Sequence, residues 1–356
     1  MEDRNDVLAM LDLMLQPGFC VSAGTIIKVN QAAQGLCLRT GGEIGPMLKT
    51  GVEEYPRLEG GPLYLTLTLA GEEVGASVTR VGDLDVFVLD QDAENRELKA
   101  LALAAQQLRG PLSSVMATAQ RLFPLTAVEE DEAARDQAAR LNRGLYQLLR
   151  VLANMSDAGQ GDRGLRQETR ALGSFFDELF EKAGEYLTCL GLNLEYHPLR
   201  REVYGSLCQE QMERAVLNLL SNAIKFTPKG GTVRVDLARQ GRFLRLTVAD
   251  NGPGIPEELR DNVFGRYLRQ PGLEDGRYGL GLGLVLIREA AASHGGVVLI
   301  DRPQGCGTRV CLTMDLTRKP SPEVRSQILT ADYAGELDHW LVELADCLPP
   351  EAYTPD

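Results

Sequence analysis

The sequence predicts an α+β protein of three folded parts and a tail. Short alternating strands punctuated by Gly turns fill residues 1–90. Unbroken heptads fill 91–158, and strands alternating with amphipathic helices fill 160–316. A chain of 356 residues has room for parts of this size.

Composition narrows the function classes. A hydrophobic content of 44% with 24% charged residues is that of a globular chain. The formal net charge of −13 argues against a broad nucleic-acid or anionic-membrane surface, which needs clustered Lys and Arg. The seven cysteines are scattered without a CxxC pair, as expected of reduced thiols in a cytoplasmic protein without a zinc site. No apolar run reaches the ~20 residues of a membrane helix, so no membrane span is expected.

In residues 1–90, Val7–Leu15 reads as a short opening helix. Phe19–Val29 reads as two strands around Ser22-Ala23-Gly24, followed by Asn30-Gln31-Ala32-Ala33. Leu63–Ala70, Val74–Val81 and Asp85–Leu89 are further strands. This layout resembles a small PAS domain, which implies a ligand pocket between sheet and helices. A dimerisation module with a filled core is the other reading. With no His in the segment, a His-ligated haem is not expected.

Residues 91–158 form a helical hairpin. Leu98, Leu101, Ala105, Leu108, Leu112, Val115, Ala119 and Leu122 alternate steps of three and four. Ala134, Ala138, Leu141, Leu145, Leu148, Leu152 and Met155 repeat the rule after an acidic loop. One hairpin leaves its seam uncovered, so a homodimeric four-helix bundle is expected.

The stretch Glu213–Pro228, ERAVLNLLSNAIKFTP, carries the chemistry of residues 160–316. Val216, Leu219, Leu220, Ala223 and Ile224 make a buried helical face, while Asn218, Asn222 and Lys225 share an edge. Carboxamide oxygens suit a hard cation and an ammonium suits phosphate. Next, LRLTVADNGPGI ends a strand at Asp250, whose carboxylate can accept from an exocyclic amine such as that of adenine. Gly252 and Gly254 allow backbone to pass close to a flat ring. VFGRYLR follows, then GLGLGL, whose Gly279, Gly281 and Gly283 precede a helix and suit a phosphate cradle. Gly305–Thr308 forms a last turn before a strand.

These ordered stretches resemble the N, G1, F and G2 boxes of the GHKL ATPase superfamily, in the form found in sensor histidine kinases. The resemblance implies a Bergerat α/β sandwich over about 160–316 that binds ATP with Mg. It makes Asn222 the metal ligand, Asn218 its neighbour near the attacking side and Lys225 a phosphate contact. Phe226 becomes a wall of the adenine pocket, Asp250 the reader of its amino group, and Arg269 a γ-phosphate contact. Gly279, Gly281 and Gly283 would cradle phosphates, and Thr308 would support the adenine end.

The hairpin resembles the family's dimerisation and phosphoacceptor domain, with one departure. Where the family has His-Glu-Leu/Ile-Arg-x-Pro-Leu, this chain reads Gln106-Gln107-Leu108-Arg109-Gly110-Pro111-Leu112. Gln106 stands at the acceptor position. A carboxamide nitrogen, its lone pair delocalised into the carbonyl, does not attack a phosphate as imidazole does. Gln107 replaces the acidic neighbour, and Gly110 stands where the family places a Thr or Asn. The expected protein is therefore a cytoplasmic, ATP-binding signalling protein of two-component type, a pseudokinase silent at the usual acceptor. An active kinase using another acceptor, or a partner's histidine in trans, is the alternative. A GHKL ATPase of the chaperone or topoisomerase kind ranks last, because position 218 lacks the glutamate that activates water. A response regulator or a histidine kinase is the expected partner.

Residues 317–356 read as a linker and an amphipathic helix within Tyr333–Cys347 that holds Trp340, the sole Trp. Two readings stand: docking on the chain's own surface, or an anchor for a partner.

Overall fold

The structure is a computed structural model that describes residues 2–14, 16–58, 61–90, 92–122, 132–158, 167–256, 281–302, 307–318 and 338–354. The first helix, α1 (Glu2–Leu13), precedes β1 (Gly18–Ser22) and β2 (Thr25–Val29). Then come β3 (Leu63–Leu69), β4 (Glu72–Val81) and β5 (Leu84–Leu89). The five strands are antiparallel in the order β2-β1-β5-β4-β3. Asn30, 1% exposed, ties this part together. Its Oδ1 accepts from the N–H groups of Gly18 and Ala33, and its Nδ2 donates to the carbonyls of Leu11, Met14 and Gln16. Side chains fill the core, with Phe19 stacked on Phe87 at 4.7 Å among Val21, Ile26, Leu65 and Val78.

The stalk helices are α2 (Asp92–Leu122) and α3 (Glu132–Ala158). The heptad seam splits in two. Leu98, Ala105, Leu112 and Ala119 are buried in α2, as are Ala138, Leu145 and Leu152 in α3. Leu108, Val115 and Leu148 are each 52% exposed, and Leu141 is 38% exposed. Every second seam position closes the hairpin, while Leu108 and Val115 of α2, and Leu141 and Leu148 of α3, face outward one heptad apart.

After the stalk come β6 (Glu168–Ala171), α4 (Leu172–Cys189), β7 (Asn193–His197), β8 (Tyr204–Leu207) and α5 (Gln209–Phe226). They are followed by β9 (Thr232–Gln240), β10 (Phe243–Asp250), α6 (Gly283–Ser293), β11 (Val298–Asp301) and β12 (Arg309–Asp315). Strands β6 and β8 pair separately. The others run β11-β12-β10-β9-β7, antiparallel except for β7 beside β9. Val233, Val235 and Leu237 of β9 share a face with Leu244, Leu246 and Val248 of β10. That face packs with Phe176 and Phe180 of α4, Leu219 and Leu220 of α5, and Ile287 of α6.

Two features depart from the sequence reading. First, β3 pairs with β11, Tyr64 opposite Val298 and Leu63 opposite Leu299, so the two sheets become one of ten strands. Each strand ends its own five-stranded sheet, and joining removes two unpaired edges. Val297 belongs to the first core and Tyr64 to the second. Second, the helix expected within Tyr333–Cys347 is only five residues long among the described residues. It is α7 (His339–Glu343), capped by Asp338, whose carboxylate accepts from the Trp340 N–H at 2.8 Å. Residues 333–337 lie outside the described residues. Pro349 and Pro350 follow the turns after α7, where helix cannot continue. Trp340, 4% exposed, is docked on the chain's own surface.

Candidate nucleotide-binding site

Helix α5 forms because its apolar residues recur at helical spacing, and Met212, Val216, Leu219, Leu220 and Ala223 are buried. Its start has no side-chain cap; instead Cys208 N–H donates to His294 Nε2 at 3.0 Å. The other ring nitrogen, Nδ1, lies 2.7 Å from the Ala290 carbonyl, which can only accept. His294 is therefore the Nδ1–H tautomer with its Nε2 lone pair already used, and it serves as a fixed post under α5.

The functional edge of α5 points away from that core. Asn218 is 2% exposed; its Nδ2 donates to the Arg214 carbonyl at 2.9 Å, and its Oδ1 faces Arg150 Nη2 at 3.5 Å. Gly283 opens α6 directly against it, since a Cβ there would lie 3.0 Å from Asn218 Oδ1. The positive end of the α6 dipole thus abuts the same edge, with Gly281 just before it at φ +72°. Asn222, one turn on, is half-buried and makes no hydrogen bond among the described residues, leaving its carboxamide oxygen for a ligand. Lys225 donates to Asp346 Oδ2 at 2.8 Å.

A second group of residues meets at the end of β10. Asp250 Oδ1 accepts from the N–H groups of Gly252 at 2.9 Å and Thr308 at 3.2 Å. Its own N–H donates to the Thr308 carbonyl at 2.9 Å. Burial raises the Asp250 carboxyl above the ordinary aspartate range, and the backbone N–H groups oppose that rise. Both oxygens thus stay oriented, with Oδ2 taking no hydrogen bond among the described residues. Gly252 and Gly307 are required by contact: a Cβ at Gly252 would lie 2.4 Å from the Phe226 carbonyl, and one at Gly307 1.9 Å from that of Asp250. Phe226, 36% exposed, stands beside this turn.

The structure therefore brings Asn218 to Gly283, and Asp250 to Gly252, Thr308 and the end of α5. Thr308 contributes through its backbone rather than its hydroxyl. Arg269 and Gly279 lie outside the described residues. Gln106 is exposed on α2, as its place after a seam position predicts. An amide acceptor oxygen at Asn222, an ammonium at Lys225, a helix N-terminus and an oriented carboxylate together suit a metal-bound polyphosphate joined to an amine-bearing base.

Sequence reasoning missed five charged residues here. Asp346 Oδ2 accepts from both Lys225 and Arg150, the latter at 2.7 Å. Glu343, with no exposed surface, accepts from Arg214 Nε at 3.0 Å, and Arg214 also pairs with Asp157. The only signal in the sequence was the step of three that places Glu343 and Asp346 on one side of an amphipathic run.

Residues 208–318 match the family described as histidine kinase-, DNA gyrase B-, and HSP90-like ATPase. The sensor histidine kinase TmoS of Ectopseudomonas mendocina is 30% identical over 259 residues, 68% of this chain and 24% of that protein. The adaptive-response sensory kinase SasA of Crocosphaera subtropica is 28% identical over 249 residues, 66% of this chain and 65% of its own length. This chain thus spans only part of these relatives. Among solved structures, full-length ShkA in complex with AMPPNP aligns at TM-score 0.49 and 20% identity, over 63% of this chain and 47% of ShkA. ThkA in complex with the response regulator TrrA aligns at TM-score 0.41 and 14% identity, over 85% and 96%. The sequence match over the nucleotide boxes and beyond them leads to one conclusion: this chain belongs to the histidine kinase family and carries its GHKL-type ATP-binding domain.

Proposed function

We propose that this chain is a cytoplasmic signalling protein of two-component type that binds Mg-ATP and does not phosphorylate itself at the stalk's usual acceptor position. One observation carries the reading. The groups a Mg-nucleotide needs stand at Asn222, Lys225, Asp250 and the α6 N-terminus, while the exposed position 106 on α2 holds a carboxamide. Asn222 would hold the Mg ion, Lys225 the phosphates and Asp250 the adenine amine; Arg269 and Gly279 would complete the phosphate side. The bound ion would neutralise phosphate charge, and the chain's own residues would orient the nucleotide.

The stalk supports dimerisation. Leu108 and Val115 stand one heptad apart on a face that α3 does not cover, and Leu141 and Leu148 do the same on α3. A second hairpin would bury both rows in a four-helix bundle. The antiparallel order β2-β1-β5-β4-β3 around residues 30–58 supports a PAS-like input unit over residues 1–90. Boundaries at 91–158 for the stalk, 160–316 for the nucleotide domain and 317–356 for the tail are part of the same proposal. A response regulator, or a histidine kinase offering its histidine in trans, is the partner this stalk would serve.

The deciding experiment incubates the full chain with Mg and γ-labelled ATP and tests any label for stability to acid and alkali. Nucleotide binding without labelling is the expected result. An acid-labile, alkali-stable label would show that another histidine accepts phosphate. His294 would be a poor candidate for it, since both ring nitrogens are hydrogen-bonded.

A further inference from the structure

Residues 338–354 lie in a groove between the stalk helix α3 and the Asn-bearing helix α5. Trp340 stacks on Tyr186 at 5.5 Å, beneath Lys182. Val342 enters the stalk core beside Leu149 and Leu152. Farther along, Tyr353 meets Tyr146 edge-on at 5.0 Å, and its carbonyl accepts from Asn142 at 3.0 Å. Between these anchors sits Asp346, 9% exposed. A single oxygen, Oδ2, accepts from Arg150 of α3 and Lys225 of α5.

That oxygen has the surroundings of a phosphate oxygen: a guanidinium on one side, an ammonium on the other. Lys225 is also the cation assigned to the nucleotide phosphates. One ammonium so nearly buried does not serve a carboxylate and a polyphosphate in the same place, and two anions there would repel. Asp346 does more than occupy Lys225. Through Arg150 it also ties the nucleotide domain to the stalk, so removing it from Lys225 breaks that tie.

We propose that residues 338–354 form an internal strap that competes with Mg-nucleotide for Lys225, lowers nucleotide affinity while docked, and leaves the α3–α5 groove when nucleotide binds. The inference rests on the reading of this site as a nucleotide site. By linkage, the factor by which the strap weakens nucleotide binding equals the factor by which nucleotide weakens the strap.

The test uses the full chain, the imido analogue of ATP with Mg, titration calorimetry, and amide exchange over residues 338–354. Two variants separate a strap from a simple change of local charge. Asp346→Asn removes the competing carboxylate. Tyr353→Ala loosens the strap from its far anchor without altering any charge. The expected result is about tenfold tighter nucleotide binding in Asp346→Asn, with tightening in the same direction in Tyr353→Ala. In the unmodified chain, nucleotide should speed exchange across 338–354. Tightening confined to Asp346→Asn, with tail exchange indifferent to nucleotide, means a charge effect only and overturns the strap. Unchanged or weaker binding in both variants overturns it as well. If none of the three chains binds nucleotide, the nucleotide reading itself has failed and the strap with it.

Discussion

Glu343→Ala tests whether the tail is held by its buried ion pairs. The Glu343 carboxylate has no exposed surface, accepts from Arg214 at 3.0 Å and lies 3.9 Å from Arg150. Arg150 and Arg214 are themselves only 4% exposed. Removing the carboxylate leaves Arg214 with Asp157 and Arg150 with Asp346 but takes one anion from the buried cluster. That change costs up to about 3–5 kcal/mol, the range for losing one partner of a buried pair. Little of this should appear as global unfolding, because the tail can leave the groove and let water reach both guanidinium groups. At about 1.4 kcal/mol per factor of ten, protection of the 338–354 amides should fall by up to roughly two to four orders of magnitude. Trp340 gives a second readout as the sole Trp, since leaving the Tyr186 stack for water should shift its emission to the red. Glu351→Gln, at an exposed position of the same segment, should change stability by less than about 0.5 kcal/mol. Unchanged tail exchange and emission in Glu343→Ala would refute the view that these pairs hold the tail.

Two further outcomes follow from the stalk and from Asp250. Leu108→Asp with Leu148→Asp should turn a dimer into a monomer in sedimentation with helix content retained, because both side chains are half-exposed within one chain; a persistent dimer would move the interface elsewhere. For Asp250, burial places the folded carboxyl above its unfolded value, so the protonated form favours folding, and that contribution is lost as pH rises through the raised range. Asp250→Asn, which keeps an oxygen for the Gly252 and Thr308 N–H groups, should therefore melt no lower than the parent at neutral pH. It should still lose about 1–3 kcal/mol of nucleotide affinity, an amide N–H₂ meeting the adenine amine. In the parent, affinity should begin to fall on acidification at a higher pH than an ordinary aspartate would give. A lower melting temperature with intact affinity would reverse both roles of Asp250.

What could be read from the sequence was local. The helix α5 follows from apolar spacing, the β10 turn from Asp-Asn-Gly-Pro-Gly, and the stalk from its heptads, each set by neighbours within a few turns. The seam could be found but not divided, since periodicity alone does not say which of Leu108 and Leu112 faces the hairpin partner. The pairing of β3 with β11 was not legible. It joins residues more than 200 apart through edges whose pattern resembles that of any half-buried strand. The tail's partners were hidden for the same reason. Arg150 sits off the heptad seam like a solvated stalk residue, and only the fold brings it to Asn218 and Asp346.

The junction between the two halves of the sheet depends on one more cation. Only two residue pairs join β3 to β11, too short a ladder to hold two units together unaided. Arg288 of α6 adds a clamp to the packing of Val297 and Tyr64 across the junction. It donates to Asp90 Oδ1 at 3.2 Å, lies 3.1 Å from Oδ2, and sits 4.6 Å over the Tyr64 ring. The Tyr64 hydroxyl donates to the same carboxylate at 2.6 Å, and burial pushes that hydroxyl's ionisation well up. Asp90 stands between the end of β5 and the start of α2, so the clamp grips the chain where the first unit passes into the stalk. Arg288→Ala leaves Asp90 with Tyr64 and empties a space over the ring, at a cost of about 3–5 kcal/mol for a broken, largely buried pair. Exchange should quicken at the Ile300 N–H, which donates to the Pro62 carbonyl across the junction, while β9 and β10 keep their protection. Uniform loss across all ten strands would mean instead that the sheet opens as one cooperative unit. Arg288 would then be an ordinary contributor to its stability, because a clamp confined to the junction changes only the opening of the junction.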